Sequence, residues 1–357
     1  MIKVFVVEDS AVIREFLCAI LNSDPEIQVV GIAKNGEEAI QSLQHMRPDV
    51  VTMDINMPKM NGFETTRRIM ETNPVPIVIV SGSWDVKEVS TTFLALEAGA
   101  LAVLPRPCGL GHTEHASTAQ ELVQTVKLMA EVKVVKRRNL TRGKDRDLVA
   151  EPAVRSIGFS TLNKKKTDIQ IVAMGASTGG PIVLQTVLSR LPKTLPFPVL
   201  IVQHISPGFV QGFVDWLSQS TGFPVQVATH GEMAQPGIAF VAPDHVQMGI
   251  HKGGRIYLSQ EEPRNGMCPS IDYLFGSVAD AYGGNAAAVL LTGMGKDGAE
   301  ELKRLKGLDA LTIVQDKESS VIFGMAGEAI RLEASHAMLP PVEIAQSLTW
   351  HSNKVYS

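Results

Sequence analysis

The sequence predicts an α/β protein built from two doubly wound units. Three observations carry this. Short β-branched runs alternate with helical patterns almost from the first residue, a second alternating stretch opens near Thr167, and a polar, basic segment separates the two. Strands alternating with helical periods build parallel sheets covered on both faces. A chain of 357 residues also exceeds what one hydrophobic core usually organises, so two domains are expected.

In order, the first five strands are KVFVV, QVVGIA, DVVTM, PIVIVS and ALAVLP. They are followed in turn by the helical patterns AVIREFLCAIL, GEEAIQSLQ, FETTRRIM, KEVSTTFLALEAG and a helix through ELVQTVKLM. Five βα units make residues 1–125 a flavodoxin-like (βα)5 domain, with its βα loops, and any ligand site, at the carboxyl ends of the strands. Residues 126–166 read as a linker with helix at its start, because EVKVVKRRNLTRGKDRDLVAEPAVRSIGFSTLNKKK holds many basic residues and no sustained apolar period. Its charge is expected to be a solvated surface, with a docking surface as the alternative.

Residues 167–357 alternate again: IQIVAM then PIVLQTVLSRL, FPVLIVQH then GFVQGFVDWLSQ, and later SIDYLFGSVADAY, AAAVLLTGMG, AEELKRLKGL and LTIVQD. VQVATH and GIAFVAP are shorter strands, and VQMGIHKGGRIYLS reads as a hairpin turning at Gly253-Gly254. The second domain is therefore mainly parallel, with an antiparallel hairpin inserted.

Composition removes several function classes. Hydrophobic residues at 45% and charged residues at 20% are those of a folded globular chain, and a net charge of -4 gives no basic field for nucleic acid. No apolar run approaches bilayer length, and the N-terminus MIKVFVVEDS meets acids too soon for a signal peptide, so a cytoplasmic protein without membrane insertion is expected. Cys18, Cys108 and Cys268 are an odd number without CxxC spacing, which points to a reducing compartment and to small buried hydrophobes.

In the first domain Glu8 and Asp9 follow the first strand, Asp54 the third, Ser81 ends the fourth and Arg106 follows the fifth. All then meet at one sheet edge. Acids there can cap helices singly, but three together repel one another unless a hard divalent cation, most naturally Mg²⁺, takes their oxygens. Asp54 beside such a metal is a candidate phosphoryl acceptor. These residues resemble the receiver domain of bacterial response regulators. The resemblance implies that Asp54 is the phosphorylation site, that Glu8 and Asp9 help hold Mg²⁺, and that Ser81 turns toward the phosphoryl group. It also implies lysine where this chain has Arg106, a planar donor that does not substitute conservatively for an ammonium.

In the second domain GASTG, residues 175–179, fits Gly-x-Ser-x-Gly between a strand and a helix expected to start at Pro181. Alone the pattern is weak, and a plain tight turn is the alternative. A dinucleotide loop is disfavoured because Ser177 stands where a glycine would be required. For Ser177 to be a nucleophile it needs a base and an orienting acid. His204, ending the next strand, lies on the same edge, with His230 and His245 as rivals. Asp297 in LLTGMGKDGAE is the acid, with Asp244 and Asp272 competing, and the Met294 N–H of that loop is a candidate oxyanion donor. The Ser-His-Asp order differs from that of α/β-hydrolases.

Together GASTGGP, QHISPGF, PSIDYLF, LLTGMGKDGA and SSVIFGM resemble the catalytic domain of the chemotaxis protein-glutamate methylesterase (CheB) family. That resemblance implies a Ser177, His204, Asp297 triad, a site lined by Thr178 and Met294, no cofactor for the ester chemistry, and methylated glutamates of chemoreceptor cytoplasmic domains as substrate, with receptor glutamines deamidated in many members. A receiver on the same chain implies control by phosphorylation from a histidine kinase.

Overall fold

A computed structural model describes residues 1–82, 86–134 and 168–353, which fall into two compact units, one within Met1–Glu151 and one within Pro152–Ser357. The remainder of the expected linker, from residue 135, lies outside the described residues.

The first unit runs β1 (Ile2–Val7), α1 (Ala11–Asn22), β2 (Ile27–Ala33), α2 (Gly36–Leu43), β3 (Val50–Met53), α3 (Gly62–Thr72), β4 (Ile77–Ser81), α4 (Val86–Ala98), β5 (Ala102–Pro105) and α5 (His115–Ala130). Its parallel sheet has the order β2-β1-β3-β4-β5, so chain direction across the sheet reverses between β1 and β3. That reversal opens a crevice above the carboxyl ends of the two strands. β3 and β4 are buried on both faces, as sheets sandwiched between helices require. α5 begins well before ELVQTVKLM and continues to Ala130, through the first residues expected to be linker.

The second unit runs β6 (Ile171–Ala176), α6 (Gly180–Leu188), β7 (Val199–Gln203), α7 (Val210–Thr221), β8 (Val225–Val227), β9 (Ala239–Val241), β10 (Gln247–Ile250), β11 (Ile256–Ser259), α8 (Ile271–Tyr282), β12 (Ala286–Leu290), α9 (Ala299–Gly307), β13 (Leu311–Gln315), α10 (Met325–Arg331), β14 (Ala337–Leu339) and α11 (Pro341–Asn353). Seven strands form a parallel sheet in the order β14-β13-β12-β6-β7-β9-β8, and β10 and β11 pair antiparallel around Gly253 and Gly254, both with positive φ. β6, β7, β12 and β13 are buried along their whole length. Leu274, Phe275 and Val278 of α8 pack with Ile171, Ala173 and Leu290 of the sheet in one core.

In this sheet the chain direction reverses between β6 and β12. The loops after β6, β7 and β12, three adjacent strands, therefore open side by side at its centre. α6 starts one residue before Pro181. The three cysteines are free but half-buried, which corrects the expectation of buried hydrophobes. Among the described residues no helix is long and apolar enough to cross a membrane.

Candidate functional sites

In the first unit the three pocket acids do not cap the first three helices. Ser10, Asn35 and Asn61 cap α1, α2 and α3, which leaves Glu8, Asp9 and Asp54 free for another task. One carboxylate oxygen from each of the three lies within 4.8 Å of the others, with Glu8 and Asp54 buried and Asp9 exposed. Burial, followed by repulsion from Asp54 and against the pull of Arg106, pushes the Glu8 carboxyl up to about 7. Asp54 is raised as well, by burial, with Arg106 opposing.

Arg106 already supplies positive charge to this pocket. Its guanidinium lies 3.0 Å from Glu8 Oε2 and 3.1 Å from Asp54 Oδ2, while its N–H donates to Ser81 O at 2.9 Å across the β4–β5 ladder. Among the described residues neither Glu8 Oε2 nor Asp54 Oδ2 has a regular hydrogen-bond partner. Three convergent carboxylates, two of whose oxygens meet the Arg106 guanidinium without a regular hydrogen bond, suit a hard divalent cation such as Mg²⁺.

In the second unit Ser177 follows β6 and His204 follows β7. The last ladder pair, Ala176 with Gln203, puts them side by side, and His204 N–H donates to Ala176 O at 2.9 Å. Gln203 Nε2 ties the two loops together by donating to Ser177 O at 2.9 Å and His204 O at 2.8 Å. Ser177 has no positive φ, unlike the strained serine of a nucleophile elbow; Gly179, with φ of 80°, makes the left-handed turn instead. On its other side Ser177 packs on the loop after β12, so closely that a Cβ on Gly293 would fall 2.5 Å from Ser177 Cβ.

Asp297, buried in that same loop, faces His204. Nε2 of the imidazole lies 2.9 Å from Oδ2. A carboxylate only accepts, so Nε2 carries the proton and Nδ1 keeps the lone pair. Nδ1 is itself buried and, among the described residues, has no hydrogen-bond partner. Among the described residues no hydrogen bond joins Ser177 Oγ to His204; such bonds often close only with substrate in place.

Asp297 is not the cap of the helix that follows it, which is Gly298. Its carboxylate instead sits on the N-terminus of α8, accepting from Ile271 N at 2.7 Å, Asp272 N at 3.1 Å and Ser270 Oγ at 2.8 Å. Burial works to raise this carboxyl. The bonds from His204 and from the α8 N–H groups outweigh it and hold the group below the usual carboxylate range.

Two partners of Asp297 were not read from the sequence. Ser270 is the N-cap of α8, ahead of the run IDYLF, and nothing local in the sequence ties it to Asp297. Asn265 reaches in from the turn after β11, donating from Nδ2 to Asp272 Oδ2 at 2.6 Å and Asp297 Oδ1 at 3.2 Å. The rivals lie elsewhere. His230 Nδ1 accepts from Leu258 N–H at 3.1 Å, His245 is exposed, and Asp244 accepts from Gly208 N. Asp272 shares the cluster yet bonds to Asn265 and Glu301 N rather than to the imidazole.

Thr178 and Met294 stand beside Ser177 in the two flanking loops. Thr178 O accepts from Thr292 Oγ1 at 3.0 Å, and Met294 is 46% exposed. Among the described residues the backbone N–H groups of Thr178 and Met294 donate to no protein acceptor. The site thus combines a hydroxyl, an oriented imidazole, a buried carboxylate and free amide donors, which is the equipment of acyl transfer.

Both units have known relatives. The response regulator receiver domain matches residues 4–117 and CheB methylesterase matches residues 172–348. A protein-glutamate methylesterase/protein-glutamine glutaminase of Nitrosospira multiformis is 56% identical over 98% of this chain and 96% of that one. A second protein so named, from Syntrophus aciditrophicus, is 53% identical over 98% of this chain and 97% of its own. Among solved structures, the CheB methylesterase catalytic domain of Thermotoga maritima is 33% identical, covering 51% of this chain and 97% of that one with a TM-score of 0.49. The chain belongs to the CheB methylesterase family, in the form that carries a response-regulator receiver domain ahead of the methylesterase domain.

Proposed function

We propose that the chain is a phosphorylation-regulated serine hydrolase that removes methyl esters from glutamate side chains of chemoreceptors and deamidates receptor glutamines. The observation that carries this reading is the buried Asp297–His204 pair at the end of the strand next to Ser177, inside a domain whose relatives bear that name. In the reaction, His204 Nδ1 accepts the Ser177 proton as Oγ attacks the side-chain carbonyl of the substrate. The N–H groups of Thr178 and Met294 take the charge that develops on the carbonyl oxygen. The imidazolium returns its proton to the leaving group, so that methanol departs from an ester or ammonia from an amide. Water, deprotonated by the same nitrogen, then releases the glutamate carboxylate. Asp297 fixes the tautomer and stabilises the transient imidazolium.

Asp54 is the phosphoryl acceptor, charged by a histidine kinase. Glu8, Asp9 and Asp54 would hold Mg²⁺, which when bound offsets the charge of the incoming phosphoryl group. Ser81 and Arg106, joined through their backbones, form the responding pair. Residues 1–125 serve as receiver, 126–166 as linker and 167–357 as the esterase, all in the cytoplasm. The test is methanol release from methylated receptor by the full chain. Ser177→Ala is expected to lose several orders of magnitude in kcat, and retention of near-normal release would refute the assignment.

A further inference from the structure

We propose a second metal site, for a thiophilic divalent cation of the Zn²⁺ class, in the loop between β5 and α5, made by Cys108, His112 and Glu114. Ligand atoms of these three side chains lie within 4.8 Å of one another, as a group distinct from the three acids of the phosphoryl pocket. The donor set decides the class of ion. A thiol that ionises on binding, an imidazole and a carboxylate match Zn²⁺, and sulfur excludes Mg²⁺ and Ca²⁺ as preferred occupants.

The loop holds these side chains together. Cys108 is pinned at both ends of its peptide, its N–H donating to Thr118 Oγ1 at 3.0 Å and its carbonyl lying 2.7 Å from His115 Nδ1. A turn closed by His112 N–H on Gly109 O at 3.1 Å brings the imidazole back over the cysteine. His112 Nδ1 spends its lone pair on a long contact from Glu114 N–H at 3.2 Å, which a metal can replace at little cost. Glu114 Oε2 stands 4.0 Å from that nitrogen, against the roughly 3.3 Å separating two ligands of a tetrahedral zinc, so rotation of one exposed side chain by less than about an ångström closes the pair. The ligands span seven residues, from 108 to 114, so little further chain entropy is lost on closure. Three protein ligands leave the fourth position of the tetrahedron to water. Binding releases the thiol proton, and the ion joins the end of β5 to the start of α5.

The experiment uses the full chain, reduced and saturated with Mg²⁺ so that the acidic pocket is occupied. Co²⁺ is the spectroscopic probe and Zn²⁺ the calorimetric one. One Co²⁺ per chain with a thiolate-to-metal charge-transfer band is expected, displaced by Zn²⁺. Cys108→Ser should abolish the band, and His112→Gln and Glu114→Gln should each weaken Zn²⁺ binding by more than roughly tenfold. Circular dichroism of each variant confirms the fold, and the two latter variants keep the thiol, so they test the site independently of it. A band that persists in Cys108→Ser, arising then from Cys18 or Cys268, overturns the proposal, as does Zn²⁺ affinity unchanged in His112→Gln and Glu114→Gln.

Discussion

Around Ser177 individual contacts set the chemistry. Gly180 has no room for a methyl group, since a Cβ there would sit 2.2 Å from Gln203 Oε1, and Gln203 is what ties the Ser177 and His204 loops together. Gly180→Ala should therefore cost about 1–3 kcal/mol of stability and lower kcat more than KM, read by urea unfolding and by methanol release. Asp297 carries a pH signature. Because its folded pKa is lowered, its stabilisation is complete above the ordinary carboxylate value of 3.8 and is lost as the pH falls through the lower folded value. Asp297→Asn should flatten that acid limb of a stability–pH curve while depressing activity at neutral pH. In the receiver the guanidinium of Arg106 spans Glu8 and Asp54, the same groups a cation needs. Arg106→Lys should give Mg²⁺ a severalfold higher affinity in calorimetric titration, on the order of 1 kcal/mol, because a single ammonium holds both carboxylates less well.

At the scale of elements, the site depends on α8 as much as on strands. Ser270 caps that helix by accepting from Tyr273 N at 3.3 Å while donating to Asp297. Ser270→Ala should lose about 1 kcal/mol of stability, with a fall in kcat as the carboxylate loosens, seen together in thermal unfolding and turnover. Elements also explain what the sequence could reveal. Glu8, Asp54, Ser177 and His204 each follow directly on a buried apolar strand, so local pattern and parallel topology were enough to gather them at sheet edges. Asn265 and Ser270 come to Asp297 from 32 and 27 residues away, and no local period encodes such a meeting. The helix α10 has only seven residues, too few for a helical period to stand out. The bridging pose of Arg106 was equally hidden, although the unusual residue itself stood in plain view.

For the whole molecule, two doubly wound units on one chain couple a phosphoryl switch to a hydrolase by covalent linkage. A small phosphodonor with Mg²⁺ should raise methanol release by the intact protein, and the rise should vanish in Asp54→Asn; a response that survives this substitution would remove the receiver from control. The seven-stranded sheet has a further implication for how the enzyme tolerates change. The loops that carry Asp297, Ser177 and His204 follow β12, β6 and β7 in the middle, and β8 and β14 lie at the two margins. Sequence drift should accordingly be graded across the sheet rather than along the chain: replacements in the outermost strands alter robustness alone, whereas equivalent ones in the three central strands extinguish turnover, so a scan of neutral variants would trace the architecture as concentric zones.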